Sequence, residues 1–197
     1  MILCDTEIRA ALASKQIIIE PPPLPGHFST SALDLTLGRG FRCWKKEPAV
    51  PGVTITIDPS APEFYPPFAE EYQQPVPVDA DGAAIIGPGD LLLVLTEQRI
   101  ELPHESRIAA RVEGKSSLAR LGLVVHLTAP TIHSGFRGRV TLEIANLGPH
   151  RIRLAPGLQV CQLVFEQVFG TPSQAMRGMF QDQDSTAGKL PEPPRGD

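Results

Sequence analysis

Gly114-Lys115-Ser116-Ser117-Leu118-Ala119-Arg120-Leu121-Gly122-Leu123, with Gly135-Phe136-Arg137-Gly138 and Thr141-Leu142-Glu143 downstream, is the most informative part of this chain. The first segment puts a cation, two hydroxyls and a guanidinium on one short turn leading into a helix. The last sets a carboxylate on an apolar strand. Such a set suits a site that grips phosphates and acts on a polar heterocycle. A Walker loop needs a further glycine five residues before Gly114, where Ala109 stands, so Gly114-Lys115-Ser116 does not read as one. Backbone amides freed by the glycine, with Lys115, Ser116 and Ser117, can still surround phosphate oxygens. Taken alone, the same residues also fit a helix N-cap by either serine, with Lys115 and Arg120 in solvent. Glu143 alone also fits a surface strand residue paired with Arg139 or Arg153.

Working outward, apolar residues recur with the two-residue period of strands. Ile108 to Val112 leads into the central segment; Leu123 to Leu127, Val140 to Ile144, Ile152 to Leu154 and Leu158 to Phe165 follow it, with a tight turn at Pro156-Gly157. Upstream, Asp5 can cap a short helix with Ile8, Ala11 and Leu12 on its apolar face. Ile17 to Ile19 reads as a strand stopped by Pro21-Pro22-Pro23. Leu33, Leu35 and Leu37 alternate with Asp34 and Thr36 as a half-buried strand ending at Gly38. Val53, Ile55 and Ile57 alternate with threonines in the same way. Residues 58–82, rich in proline and acidic groups, read as a long loop or insertion, and Pro88-Gly89 as a turn before the buried strand Leu91 to Leu95. His126 lies on the Leu123–Leu127 strand, facing opposite to Val125, where a structural hydrogen bond is the simpler role. Residues 169–197 read as a polar, mobile tail, partly functional. The expectation is one mainly β domain over 1–168, a jelly-roll-like barrel with one or two short helices.

Composition narrows the function. The net charge of -4 leaves no global footprint for nucleic acid, so any phosphate site is local. The 21 prolines and 17 glycines favour short strands and turns over long helices. Three widely spaced cysteines, Cys4, Cys43 and Cys161, argue against a disulfide framework and for a reducing compartment such as the cytoplasm. No Cys-x-x-Cys or His-x-Glu pattern supplies the ligands of a zinc deaminase. The start, Met1-Ile2-Leu3-Cys4-Asp5, has neither a basic region nor a long apolar run, so no leader or membrane span is expected.

Ser116-Ser117-Leu118-Ala119-Arg120-Leu121-Gly122-Leu123, Val125-His126 and Thr128-Ala129 closely resemble the phosphate and catalytic segment of dCTP deaminases, in the trimeric, dUTPase-like β family. Gly135-Phe136-x-Gly138, Leu142-Glu143 and Asn146 fit as well, as do Leu3-Cys4-Asp5, Ile8, Leu33-Asp34-Leu35 and Leu37-Gly38. The resemblance runs to about residue 168 and thins over 58–82 and in the tail. It implies a distorted jelly-roll barrel in a homotrimer, with sites between subunits. It also implies zinc-independent hydrolysis of dCTP to dUTP and ammonia, with Mg²⁺ carried by the triphosphate and no metal held by the protein. Glu143 takes the place of the glutamate that activates water, and Arg120 and Ser116 orient water and base. Lys115, Ser117 and Gln183 hold phosphates, and the backbone near Ala129 reads the base edge. Ile132, His133, Thr141 and Leu142 complete the substrate-binding set.

Several positions depart from the family. Lys115 replaces an arginine, keeping charge but losing the bidentate fork. His133 stands where an aspartate is usual, and Thr131 replaces an arginine, which leaves CTP open as a substrate. In dUTPases that aspartate holds the attacking water, so His133 argues against diphosphohydrolysis. In the tail, Phe180 and Gln183 align with the aromatic and glutamine of a closing lid. Met179 replaces a phosphate-binding lysine there, with Arg177 a candidate to compensate. Two rivals stand beside deamination: dUTP diphosphohydrolysis, alone or after deamination, and a catalytically silent nucleotide-binding regulator.

Overall fold

The period-two patterns are realised as three antiparallel sheets in a computed structural model that describes residues 1–45, 55–61, 64–174 and 176–189. In chain order the elements are α1 (Asp5–Ala13), β1 (Ile18–Glu20), β2 (Leu33–Thr36), β3 (Arg42–Trp44), α2 (Tyr65–Tyr72), β4 (Gln73–Pro75), β5 (Ala84–Ile86), β6 (Leu91–Glu101) and β7 (Ile108–Gly114). They continue with α3 (Ser116–Ala119), β8 (Leu123–Val124), β9 (Thr131–Ile132), β10 (Arg137–Asn146), β11 (Ile152–Leu154) and β12 (Gln159–Gln167). One sheet runs β4-β3-β6-β10-β8, with β1 also on β6; a second runs β2-β12-β7-β9; β11 and β5 form a ribbon. A single apolar core gathers Ile8, Phe41, Leu142, Ile144, Leu163 and Phe165 from both larger sheets and α1. The mainly β architecture thus agrees with the sequence reading, with three short helices among the described residues rather than one or two.

Four expectations change in detail. The cap of α1 is Cys4, not Asp5; its amide donates to Glu7 Oε2 at 2.9 Å, and Asp5 stands inside the first turn. Strand β2 is buried on both faces, because its polar residues are matched: Asp34 pairs with Lys115, and Thr36 is held by Gln98. Val53 lies outside the described residues, while Ile55 and Ile57 sit in irregular backbone ahead of a turn at Asp58, whose carboxylate accepts from the Ser60 amide at 2.9 Å. The segment 58–82 is not one long loop, since it holds α2 and β4. Pro66 and Pro67 fall in the first turn of α2, where a missing N–H costs nothing, and Phe68 and Tyr72 then stack one turn apart at 4.7 Å.

Two irregularities shape the site. Along β6 and β10 the register slips between Arg139 and Thr141, leaving Thr96–Gln98 as a bulge. Its polar groups are satisfied: Thr96 Oγ1 donates to the Gln98 carbonyl at 2.8 Å and accepts from the Val140 amide at 3.1 Å. Strand β8 is shorter than Leu123–Leu127, pairing β10 only at Leu123 and Val124. The backbone then leaves the sheet and returns as β9 against β7, so residues 125–130 form a wall rather than a strand.

Candidate active site

Alternation along β10 decides which side chains reach the site. Val140, Leu142 and Ile144 are buried, while Thr141 and Glu143 share the opposite, half-buried face. Glu143, opposite Leu93, borders a cavity of about 300 Å³. The returning segment supplies His126, Ala129, Ile132, His133 and Phe136, α2 supplies Tyr65, and the C-terminal segment supplies Met176, Phe180, Gln183 and Thr186.

Burial pushes the Glu143 carboxyl above the ordinary carboxylate range. The amides of Leu127 and of Glu143 itself, and the His126 ring, oppose that shift. A carboxyl so placed holds a proton more readily than an exposed one, which suits it to proton exchange. Tyr65 is also raised, first by burial and then by the Glu143 charge, which sets phenol and carboxylate in one electrostatic environment. His126 Nδ1 is buried with no hydrogen-bond partner in the chain, so the expected structural bond at that nitrogen is not made; the ring belongs to the cavity.

Of the residues named from sequence, the cavity unites Glu143, Ala129, Ile132, His133, Thr141, Leu142 and Gln183. It does not include Ser116, Ser117 or Arg120, which are exposed on and just after α3. Lys115 is held by Asp34 across β12, with the Lys115 side chain 25% and the Asp34 side chain 10% exposed. Between them the buried Cys161 thiol is pushed up to about 12, chiefly by desolvation. Removing Lys115 strands a nearly buried carboxylate. Lys115→Met should therefore cost about 2–3 kcal/mol, read as a lower urea midpoint, whereas Lys115→Arg should lose little.

The tail beyond Gly170 is not loose over 176–189. Arg137 grips Asp182 with both forks, at 2.5 and 2.6 Å, and Arg99 Nη2 adds a third bond at 2.8 Å. Gln181 Nε2 donates to the Gly135 carbonyl at 3.0 Å, and Gln183 Nε2 to the Arg139 carbonyl at 2.7 Å. Gly138 eases this docking: a Cβ there would sit 3.3 Å from the Gln183 backbone nitrogen, a tight contact. From the other side, Tyr65 Oη donates to the Thr186 carbonyl at 3.1 Å, and Thr186 Oγ1 to Gln73 Oε1 at 2.5 Å. Phe180 meets Tyr65 edge to face at 5.5 Å. Tyr65 and Thr186 escape sequence reading because their meeting spans 121 residues.

Arg137 and Arg99 hold the Asp182 carboxyl below the ordinary range. A depressed carboxylate stabilises above its unfolded pKa and is lost as pH falls through the folded value. Cleavage within 176–189 by an acid-active protease should therefore accelerate below about pH 4. Asp182→Asn should show the faster cutting already at pH 5.

Residues 2–168 match the family model described as dCTP deaminase-like. A Methanosphaera stadtmanae protein named "dCTP deaminase, dUMP-forming" is 38% identical over 184 residues, covering 93% of this chain and 87% of that one. A Rhodospirillum rubrum protein named "dCTP deaminase" is 38% identical over 175 residues, covering 88% and 86%. In fold, 83% of the chain superposes on the solved 2'-deoxycytidine 5'-triphosphate deaminase of Agrobacterium tumefaciens with a TM-score of 0.61 and 22% identity. This chain spans about half of that one, 47%. With a family match that runs from the second residue to the end of β12 and takes in Glu143 and most of its cavity, the chain belongs to the dCTP deaminase-like family.

Proposed function

We propose that the protein deaminates dCTP hydrolytically, releasing ammonia and dUTP. The observation that carries this reading is Glu143, a half-buried carboxyl of raised pKa on the wall of a small, partly apolar cavity. Glu143 takes a proton from water as the oxygen bonds to C4 of the cytosine and gives it to the ring nitrogen; it then takes the remaining proton from the new C4 hydroxyl and gives it to the amine, which departs as ammonia. The C4–N bond breaks and a carbonyl remains. Such proton transfer is worth ~10²–10⁴ in rate. The backbone from Ala129 to Ile132 borders the same cavity and is available to read the base edge, with His133 beside the sugar.

Ser116 and Arg120 act in a neighbouring subunit's site within a homotrimer, stabilising the charge that develops at the base, while Ser117 meets phosphate. Support for this division is their exposure and their separation from the cavity of their own chain. Magnesium arrives on the triphosphate. Among the described residues no group of three or more His, Cys, Asp or Glu side chains stands ready to hold a metal. The unpaired cysteines suit a reducing compartment such as the cytoplasm. Among the described residues no helix is long and apolar enough to cross a membrane.

A second reading ends at dUMP, with pyrophosphate released after deamination. The name of the Methanosphaera relative favours it, and His133 in place of an aspartate stands against it. Purified protein with Mg²⁺ and dCTP, CTP, dUTP or dCMP in separate tubes, analysed by chromatography, decides. Uracil triphosphate from dCTP supports the proposal, dUMP with pyrophosphate supports the second reading, and no conversion of any cytosine nucleotide refutes both. The CTP tube reports sugar preference.

A further inference from the structure

Arg139 stands on the face of β10 that carries Thr141 and Glu143, because burial alternates without a break along the strand. Val140, Thr141, Leu142 and Glu143 border the cavity, and Arg139 is the next residue towards the start of the strand. Its environment is unfavourable in two ways. The register sets it directly opposite Arg99 on β6, a like-charge cross-strand pair. Its Nε is buried with no hydrogen-bond partner, and among the described residues its guanidinium has no ion pair. A buried donor left unpaired is destabilising.

The neighbouring carboxylates are already engaged. Asp182 binds Arg137 and Arg99, and Glu101 lies 3.6 Å from Arg99 Nη1. Arg99, Arg137 and Arg139 therefore share only Asp182 and Glu101, and Arg139 holds the charge left over. A cation that breaks local rules and finds no partner in its own fold calls for an anion from outside the chain.

Order along the strand identifies the anion. From Glu143 towards Arg139 the face presents a carboxyl, a hydroxyl and a guanidinium, in steps of ~7 Å. A nucleotide presents an uncharged base, a pentose and then its phosphates. Only one orientation keeps the phosphates away from the Glu143 carboxylate and brings them to the free cation. At ~13 Å along the strand from Glu143, Arg139 stands beyond the base, at the end where the phosphate chain lies.

We propose that Arg139 is a specificity residue for the polyphosphate: its guanidinium, unpaired within the chain, binds the phosphates of a nucleotide whose base lies against Glu143. This rests on the nucleotide deaminase reading above and adds to it a cation from β10, apart from the segment 114–123. Its consequence is that Arg139 holds the ligand-free protein below its best stability.

The test uses Arg139→Met in the full chain. Without nucleotide the variant should melt at or above the wild-type temperature, since it removes the repulsion from Arg99 and the unpaired donor. With dCTP, KM should rise about tenfold to a hundredfold, the effect of one charge-assisted hydrogen bond, with kcat falling much less. Arg139→Lys, which keeps the charge and loses the fork, should fall between. By calorimetry Arg139→Met should bind dUTP more weakly by the same factor and 2'-deoxyuridine equally well. A variant with wild-type KM and wild-type affinity for dUTP overturns the proposal. So does a variant that melts lower without nucleotide, the result if a carboxylate of a second copy holds Arg139. Weaker dUTP binding with no turnover of any cytosine nucleotide keeps the phosphate contact and sinks the deaminase reading; dCTP turnover with unchanged KM does the reverse.

Discussion

Glu143→Gln is expected to lose turnover of dCTP by two to four orders of magnitude while gaining thermal stability at neutral pH. The first part follows from its proton-transfer role, for which an amide has no usable proton site (~10²–10⁴). The second follows from linkage. Burial raises the folded-state pKa of Glu143, so the folded chain holds that proton more tightly than the unfolded chain. The associated stability is fully present below the ordinary carboxyl pKa and is lost as pH rises through the raised value. Glutamine never ionises and escapes that loss. The variant should therefore melt above wild type at pH 7, with the gap closing towards pH 4. Calorimetry at the two pH values, beside single-turnover assays, checks both parts. A variant that keeps turnover would remove Glu143 from the chemistry, and one that melts lower at pH 7 would mean the carboxylate is a structural partner.

Gly122→Ala should be strongly destabilising although it lies outside the cavity. Gly122 has φ +89°, and a Cβ there would lie 2.3 Å from the Gly148 amide nitrogen, backbone against backbone. Neither side can yield. The Leu147 amide donates to the Gly122 carbonyl at 2.8 Å, and the Gly148 amide to Asn146 Oδ1 at 3.0 Å. Asn146 is itself tied to the carbonyls of Ile86 and His150. Left-handed strain and overpacking together cost about 3–5 kcal/mol, or roughly 10 °C in Tm. Gly157→Ala is the control. Its φ of +84° is similar, but nothing lies within 4 Å, so only the conformational cost of about 1–2 kcal/mol should remain. Equal losses at the two glycines would show that the clash at Gly122 relaxes at no cost.

Strand positions were legible in the chain because alternation is a local signal. Ile152–Leu154 matches β11 without change, and β7, β10 and β12 differ from expectation only at their ends. What period two cannot report is pairing. Asp34 and Thr36 looked like a solvent face, yet Lys115 and Gln98, 81 and 62 residues away, let them be buried. Helix α2 was hidden by its own prolines, which normally signal a break but are harmless in a first turn. For the cavity, the resemblance pointed to Glu143, Thr141 and the 129–133 segment, which the fold brings together. Tyr65 carries no local mark of its place there. His126 read as structural because burial beside a carboxylate is a tertiary property. The tail read as loose because nothing in its composition announces the Arg137 and Arg99 clamp on Asp182.

The position of that clamp in the chain has a consequence for biosynthesis. Strand β12 ends at Gln167 and completes the sheets, while Met176, Phe180, Gln183 and Thr186, which close one side of the cavity, come after it. Translation runs from the N-terminus and folding follows it. Every strand of the sheets therefore precedes, in order of synthesis, the segment that closes the pocket, and the wall around Glu143 is complete only when residues 176–186 are packed on β10.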